Sequence, residues 1–169
     1  MNSSLNPFHI NIGFLINHPI GYSRILPFDI KQVEVSEGIL LNNVIGTVDL
    51  SRMQDGIRVQ ASFSGEIENE CGRCLKNFVD ELHSDFEEIF LFPYMEVSEE
   101  ESKIPENGNI DIEQLFNDFM IMGIPISPVC KPDCKGLCAI CGQDLNQELC
   151  EHHRGKCKTE ETGLKTSKT

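Results

Sequence analysis

The chain has no tryptophan, two tyrosines and few cations: 14 Lys and Arg stand against 27 Asp and Glu in 169 residues. The resulting formal charge of −13 excludes unaided, non-specific clamping of a phosphate backbone, because lysine and arginine carry that attraction. No apolar run reaches the roughly 20 residues of a spanning helix, and the opening MNSSLNPFHINIGF lacks the basic and apolar regions of a secretory signal. A cytoplasmic protein without membrane contact is the expectation. H-E-x-x-H, G-x-S-x-G and a phosphate-binding loop are also missing, so none of the chemistries those patterns support is signalled. The expectation is a protein that is not an enzyme and takes no small-molecule substrate.

What is present is a sizeable apolar complement, 40% hydrophobic with ten Phe, enough to bury a core. Phe8, Ile10, Ile12, Phe14 and Ile16 occupy alternate positions, which predicts a strand over 8–16 with one buried face. Segments 44–50 and 57–67 alternate likewise, and Gln54, Asp55 and Gly56 between them read as the turn of an antiparallel hairpin. A shorter alternating piece from Ile30 to Val35 predicts another strand. Phe78, Leu82, Phe86 and Phe90 suit a helix face or the even positions of a strand, and strand is the reading adopted. Residues 96–109 are acidic, contain Pro105 and Gly108, and read as a solvated loop. Asp111 and Gln114 form a capping-box pattern ahead of a stripe of Ile112, Leu115, Phe116, Phe119, Met120 and Met122, a helix over 111–122 that stops near Gly123 and Pro125. The fold class is therefore α+β: mainly antiparallel β-sheet of about five strands, one helix, and a C-terminal Cys-rich metal-binding tail. By sequence the chain divides into a body, 1–129, a knuckle, 130–158, and a disordered tail, 159–169. Charge follows the same division: 1–129 carries 7 basic and 21 acidic side chains, net −14, and 130–169 carries 7 and 6, net +1.

Eight cysteines require an explanation. Cys71 and Cys74, Cys130 and Cys134, and Cys138 and Cys141 form close pairs, followed by single Cys150 and Cys157. In a chain without a secretory signal, clustered pairs point to metal rather than disulfides. A two-residue spacer aims both sulfurs at one ion, and a glycine after the second cysteine, as in CAICG, permits the tight turn. Zinc takes four such ligands, so one or two zinc ions are expected. Two partitions are open. In the first, Cys71, Cys74, Cys130 and Cys134 share an ion, and Cys138, Cys141 and Cys150 take a fourth donor. In the second, Cys130, Cys134, Cys138 and Cys141 share one ion, and Cys71 with Cys74 is left as a redox-active or free pair. The first leaves no pair idle and is preferred. His9, His18 and His83 have no thiol patterned around them and read as surface or packing residues. Arg73, between two candidate ligands, reads as a loop-orienting residue, and Lys131, Lys135, Arg154, Lys156 and Lys158 as either solvated surface or phosphate contacts.

The ECGRCLKNF segment, the helix, and the run PVCKPDCKGLCAICGQDLNQELC together resemble the YceD family of large-ribosomal-RNA accumulation proteins. The resemblance covers most of the chain. Members of that family usually end in C-x-C, whereas Cys150 is followed here by Glu151 and His152. The resemblance thus implies His152 as the last ligand, with Cys157 and then His153 as substitutes. Members lacking the final knuckle keep the earlier elements, which implies a separate first site. It further implies a role in ribosome biogenesis, supporting large-subunit rRNA accumulation. The expected partners are a ribosomal protein, the large-subunit ribosomal RNA or its precursor. The competing expectation is a C-x-x-C redox protein or a zinc-dependent adaptor unrelated to ribosomes.

Overall fold

The computed structural model describes residues 6–95 and 102–154. Among these residues nine elements follow one another: β1 (His9–Asn11), α1 (Gly13–Ile16), β2 (Ser23–Ser36), β3 (Ile39–Arg52), β4 (Gly56–Glu70), β5 (Asn77–Leu91), β6 (Asn109–Asp111), α2 (Glu113–Met122) and α3 (Glu151–Arg154). The chain divides into two compact units. The first comprises Met1–Asn69 and Phe78–Ile126; the second comprises Glu70–Asn77 and Ser127–Thr169. The cysteine loop between β4 and β5 thus groups with the cysteine-rich segment rather than with the strands that flank it.

The first unit holds a four-stranded sheet in the order β2-β3-β4-β5 and a two-stranded sheet of β1 and β6. The expected hairpin forms, with Val48 opposite Ala61 and Leu50 opposite Val59. The register shifts between Asn42 and Ile45, where Asn43 adopts φ 50°, a left-handed conformation that asparagine tolerates better than most residues. This bulge changes the phase of β3, so that Leu41 and Val44 both face the core. The piece read from Ile30 to Val35 belongs to the longer β2, which runs antiparallel to β3 through Pro27. The stretch from Phe78 is a strand, β5, with Leu82, Phe86 and Phe90 buried.

Several expectations are corrected. The alternation from Phe8 does not continue as a strand to Ile16: the side chain of Asn11 accepts the Gly13 N–H, and the chain coils into the single turn α1. Leu15 is buried there and Ile16 is exposed, the reverse of the strand pattern. Among the described residues the strands number six, in two sheets, against the expected five or so in one. Helix α2 is joined by the one-turn α1 and α3, each too short for periodicity to reveal. Helix α2 begins with Ile112 as N-cap and no side-chain cap; Asp111 instead accepts the Glu113 N–H at 2.9 Å. Ile112, Phe116 and Met120 line its buried face, and Met122 is 78% exposed. Within the acidic segment, Ile104 is buried and Lys103 bridges Leu91; residues 96–101 of that loop lie outside the described residues, as does the expected tail 159–169.

Phenylalanines replace tryptophan as the bulk of the core. Phe116 packs on Phe8 and Phe63 at ring separations of 4.6 and 4.9 Å, and Phe119 stacks on Phe86 at 5.2 Å. Helix α2 and the inner face of the sheet are joined by these rings, the geometry that gives aromatic pairs stabilisation beyond their buried area. Gly46 makes the fit possible, because a Cβ there would collide with the Phe63 ring and the Ser62 carbonyl oxygen. Gly46→Ala is expected to destabilise the protein by about 1–3 kcal/mol through overpacking, measured as a lower denaturation midpoint at unchanged slope.

Candidate metal centres

The loop between β4 and β5 and the segment Cys138–Gly142 adopt the same backbone turn. In the first, Leu75 N–H donates to the Cys71 carbonyl at 2.9 Å and Cys71 N–H to that of Lys76 at 3.0 Å. In the second, Gly142 N–H donates to the Cys138 carbonyl at 2.8 Å and Cys138 N–H to that of Gln143 at 2.9 Å. Each is a knuckle with its two sulfurs presented on one side. The residue after the second cysteine is left-handed in both, Leu75 at φ 57° and Gly142 at φ 73°. Glycine takes this conformation freely, whereas leucine pays for it.

Two groups of ligand atoms assemble, each with all its atoms within 4.8 Å of one another: Cys71, Cys74, Cys130 and Cys134 in one, and Cys138, Cys141, Cys150 and His152 in the other. Both lie in the second unit. Cys130 and Cys134 thus meet Cys71 and Cys74 across about sixty residues of sequence rather than their near neighbours Cys138 and Cys141. The Sγ atoms of Cys71 and Cys134 are 3.8 Å apart, and those of Cys74 and Cys130 are 3.7 Å apart. A tetrahedral ion with sulfur at roughly 2.3 Å has edges of about 3.8 Å, so the spacing fits such an ion and is far beyond that of a disulfide. The group is buried, with Cys130 half-buried. In the second group Cys138 and Cys150 are buried while Cys141 and His152 are exposed. Cys157 and the side chain of His153, the substitute ligands, lie outside the described residues.

The backbone prepares the first cysteine of each knuckle for negative charge. N–H groups of Cys130, Cys74 and Arg73 bring Cys71 down to about 6 against the opposing effect of burial. N–H groups of Cys141 and Ile140 likewise bring Cys138 to about 6. Cys74, Cys130 and Cys141 instead resist ionising beside their neighbours. Burial and the other three cysteines push Cys130 up to about 12. Cys74 rises on balance although the Lys76 N–H opposes it, and Cys141 rises although the Gln143 N–H opposes it. A cation among the sulfurs would offset that repulsion.

Supporting contacts hold the first group from outside. Arg73 acts as the loop-orienting residue: its Nη1 donates to the Cys134 carbonyl at 3.0 Å, and its own carbonyl accepts the Leu137 N–H. Asn146, which composition and spacing do not single out, donates from Nδ2 to the Cys134 sulfur at 3.5 Å and accepts the Lys135 N–H. Asp144 fixes Asn146 through its N–H and its amide, which lowers the Asp144 carboxyl from its ordinary range. The only sequence signal for this pair is the Asp-Leu-Asn run after CAICGQ. The other histidines stay apart from both groups: His9 pairs with Asp111 at 2.9 Å, His18 stacks on Tyr22, and His83 lies 3.7 Å from Glu81. Lys131 faces Asp133 at 3.8 Å.

A β-rich chain with two four-ligand cysteine groups is the class of protein these observations define, and comparison with known proteins gives its family. The family model described as large ribosomal RNA subunit accumulation protein YceD matches residues 59–165. The chain belongs to the YceD family. An uncharacterized protein of Mycobacterium tuberculosis is 30% identical over 128 residues, covering 73% of this chain and 60% of that protein. An uncharacterized protein of Mycobacterium leprae is 31% identical over 97 residues, 55% of this chain and 45% of the relative. The chloroplastic large ribosomal RNA subunit accumulation protein YCED homolog 1 of Arabidopsis thaliana is 38% identical over 47 residues, 28% of this chain and 15% of that protein. The chain spans about three fifths of the length of the Mycobacterium tuberculosis relative. No solved structure matches it. Among the described residues no helix is long and apolar enough to cross a membrane.

The two knuckles differ in a way that unfolding measurements can read. Nothing lies within 4 Å of a Cβ built at Gly142, so Gly142→Ala tests backbone conformation alone and is expected to cost about 1 kcal/mol. Leu75→Gly, which relieves the same strain in the other knuckle, is expected to raise stability by a fraction of that amount.

Proposed function

We propose that this chain is a non-enzymatic zinc-binding factor that supports the accumulation of large-subunit ribosomal RNA, acting in ribosome biogenesis through a ribosomal protein, the RNA or both. Membership of the YceD family carries the ribosomal part of this reading. The observation that carries the metal part is the pair of four-ligand groups, one of four sulfurs and one of three sulfurs and an imidazole. Sulfur-rich sets of four favour zinc over harder cations, and closed sets of this kind are structural rather than catalytic. The ion supplies cross-linking: in the first group it would tie the loop Glu70–Asn77 to Cys130 and Cys134, and the residues around it hold the sulfurs and soften their charge. No open ligand position with a general base is needed for such a role, and the reading assigns no reaction.

Charge divides the remaining work. Residues 1–129, at net −14, repel a phosphate backbone and steer basic proteins toward them. Residues 130–169, at net +1, lack that repulsion, which leaves this segment as the part able to approach RNA. The compartment follows the ribosomes it serves: the cytoplasm for this chain in our reading, whereas the Arabidopsis relative is named as chloroplastic.

Three outcomes are expected. Non-denaturing mass spectrometry of reduced protein should count two zinc ions, and Cys71→Ser should lose one of them, because metal affinity is folding free energy in such sites; retention of both ions in that variant would return the sulfurs of the tail to a local partition. Zinc affinity should fall as pH falls, since binding displaces thiol protons, and competition with a chelator at pH 6 and 8 measures it. In cells lacking the gene, the ratio of large-subunit to small-subunit ribosomal RNA should drop at matched growth. An unchanged ratio would contradict the ribosomal role and leave the metal sites standing.

A further inference from the structure

The two faces of the four-stranded sheet differ in character. Val44, Val48, Val59 and Phe63 turn into the core, whereas Thr47 and Ser62, partners across the two central strands, are exposed. Central-strand side chains reach solvent only where nothing covers the sheet. Two depressions of about 610 and 380 Å³ share Thr47 and Ser62 in their linings, so they run together as one trough. Its floor carries short hydroxyl side chains. Aliphatic side chains flank it from β2 and β3, with Ile25 62% and Ile45 57% exposed. Asp85 and Glu87 line it from β5, with Asp49 from β3 in the same depression. Neither lining contains a lysine or arginine, and among the described residues Asp85 and Glu87 have no ion-pair partner.

We propose that this trough is the docking surface for a basic segment of a partner protein, one that presents Lys or Arg to Asp85 and Glu87 and aliphatic side chains to Ile25 and Ile45. The assignment rests on the reading above in which the chain acts through a protein in large-subunit assembly. Charge complementarity selects the occupant. Carboxylates repel the phosphates of RNA, and a second copy of this chain packed through the same face would set like charges against like. Apolar contacts beside the carboxylates add the specificity that charge alone lacks. Small floor residues leave room for incoming side chains and lose little rotamer freedom when covered. The dimensions suit a short segment held by a few side chains, an interface of the weak, exchangeable class.

The test uses the zinc-loaded full chain and a synthetic peptide of alternating lysine and valine, with a lysine–serine peptide of the same charge as control, read by fluorescence anisotropy. The lysine–valine peptide should bind more tightly. The double reversal Asp85→Lys with Glu87→Lys should weaken binding about tenfold or more, and Thr47→Tyr, which fills the trough, should do the same without altering charge. Glu106→Lys, an exposed reversal on the loop before β6, should change it less than about twofold. Should the reversed chain fail to fold, Ile25→Ser and Thr47→Tyr carry the measurement. Equal binding of the two peptides, or an equal loss with Glu106→Lys, would reduce the effect to diffuse attraction and overturn the proposal. So would single-stranded RNA that Thr47→Tyr displaces, or a dimer seen by sedimentation that the same substitution abolishes. In cells, the reversed chain should fail to restore the ribosomal RNA ratio while keeping both zinc ions. Full restoration would overturn the docking surface and leave the ribosomal role intact, whereas an unchanged ratio on deleting the gene overturns the role itself.

Discussion

Four sulfurs within 4.8 Å of one another cannot all ionise in a buried setting unless a cation sits among them, since the self-repulsion and desolvation of adjacent thiolates are both large. Cys71 and Cys130 feel that constraint from opposite sides. Cys71, offered backbone N–H groups, ionises readily at about 6, and Cys130, buried against its neighbours, is held at about 12. The arrangement of the second unit follows from satisfying it. A loop that leaves one strand and enters the next brings its sulfurs against those of a segment more than fifty residues later, with Arg73 and Asn146 hydrogen-bonded to Cys134 beside them. Among the described residues this unit holds only a small apolar cluster of Cys138, Leu145 and Cys150, and units with so little core depend on metal or disulfides for stability.

The two knuckles share a backbone turn but differ in their surroundings. One places four cysteines in a mostly buried group; the other ends in an exposed cysteine and an exposed imidazole. An ion in the second would exchange with solvent more readily, because access and a single neutral donor both loosen the hold. Leu75 breaks the glycine preference that its counterpart Gly142 obeys, a local cost tolerated because the surrounding knuckle fixes the turn. The first unit needs no such device. Its phenylalanine cluster joins α2 to the sheet, and its outer face, where Thr47 and Ser62 are exposed, carries Asp49, Asp85 and Glu87.

Long, strongly alternating segments are legible because a half-buried strand repeats every two residues: segments 44–50 of β3 and 57–67 of β4 follow from their patterns, whereas the four-residue spacing of Phe78, Leu82, Phe86 and Phe90 in β5 suits a helix as well. The first strand misled for the same reason. Phe8 to Ile16 alternate over nine positions, yet a single side-chain acceptor on Asn11 bends the chain after three strand residues, and no periodicity reports one hydrogen bond. Ile104, in an acidic stretch, was hidden by its neighbours' charge although it is buried. At the candidate centres the ligand types and pair spacing are readable, because sulfur pairs with two or three residues between them are chemically restrictive. Asn146 and the strained Leu75 were not, since their roles depend on the tertiary meeting of Arg73, Cys134 and the tail.

The central claim is that Cys71 and Cys74 share one ion with Cys130 and Cys134 while Cys138, Cys141, Cys150 and His152 hold another. X-ray absorption at the zinc edge, taken on the intact chain and on Cys138→Ser, addresses it directly. The account predicts mixed sulfur and nitrogen ligation in the intact protein and a pure four-sulfur shell at about 2.3 Å for the ion that remains in the variant. Loss of all zinc from Cys138→Ser, or a remaining ion bound largely by nitrogen and oxygen, would contradict it.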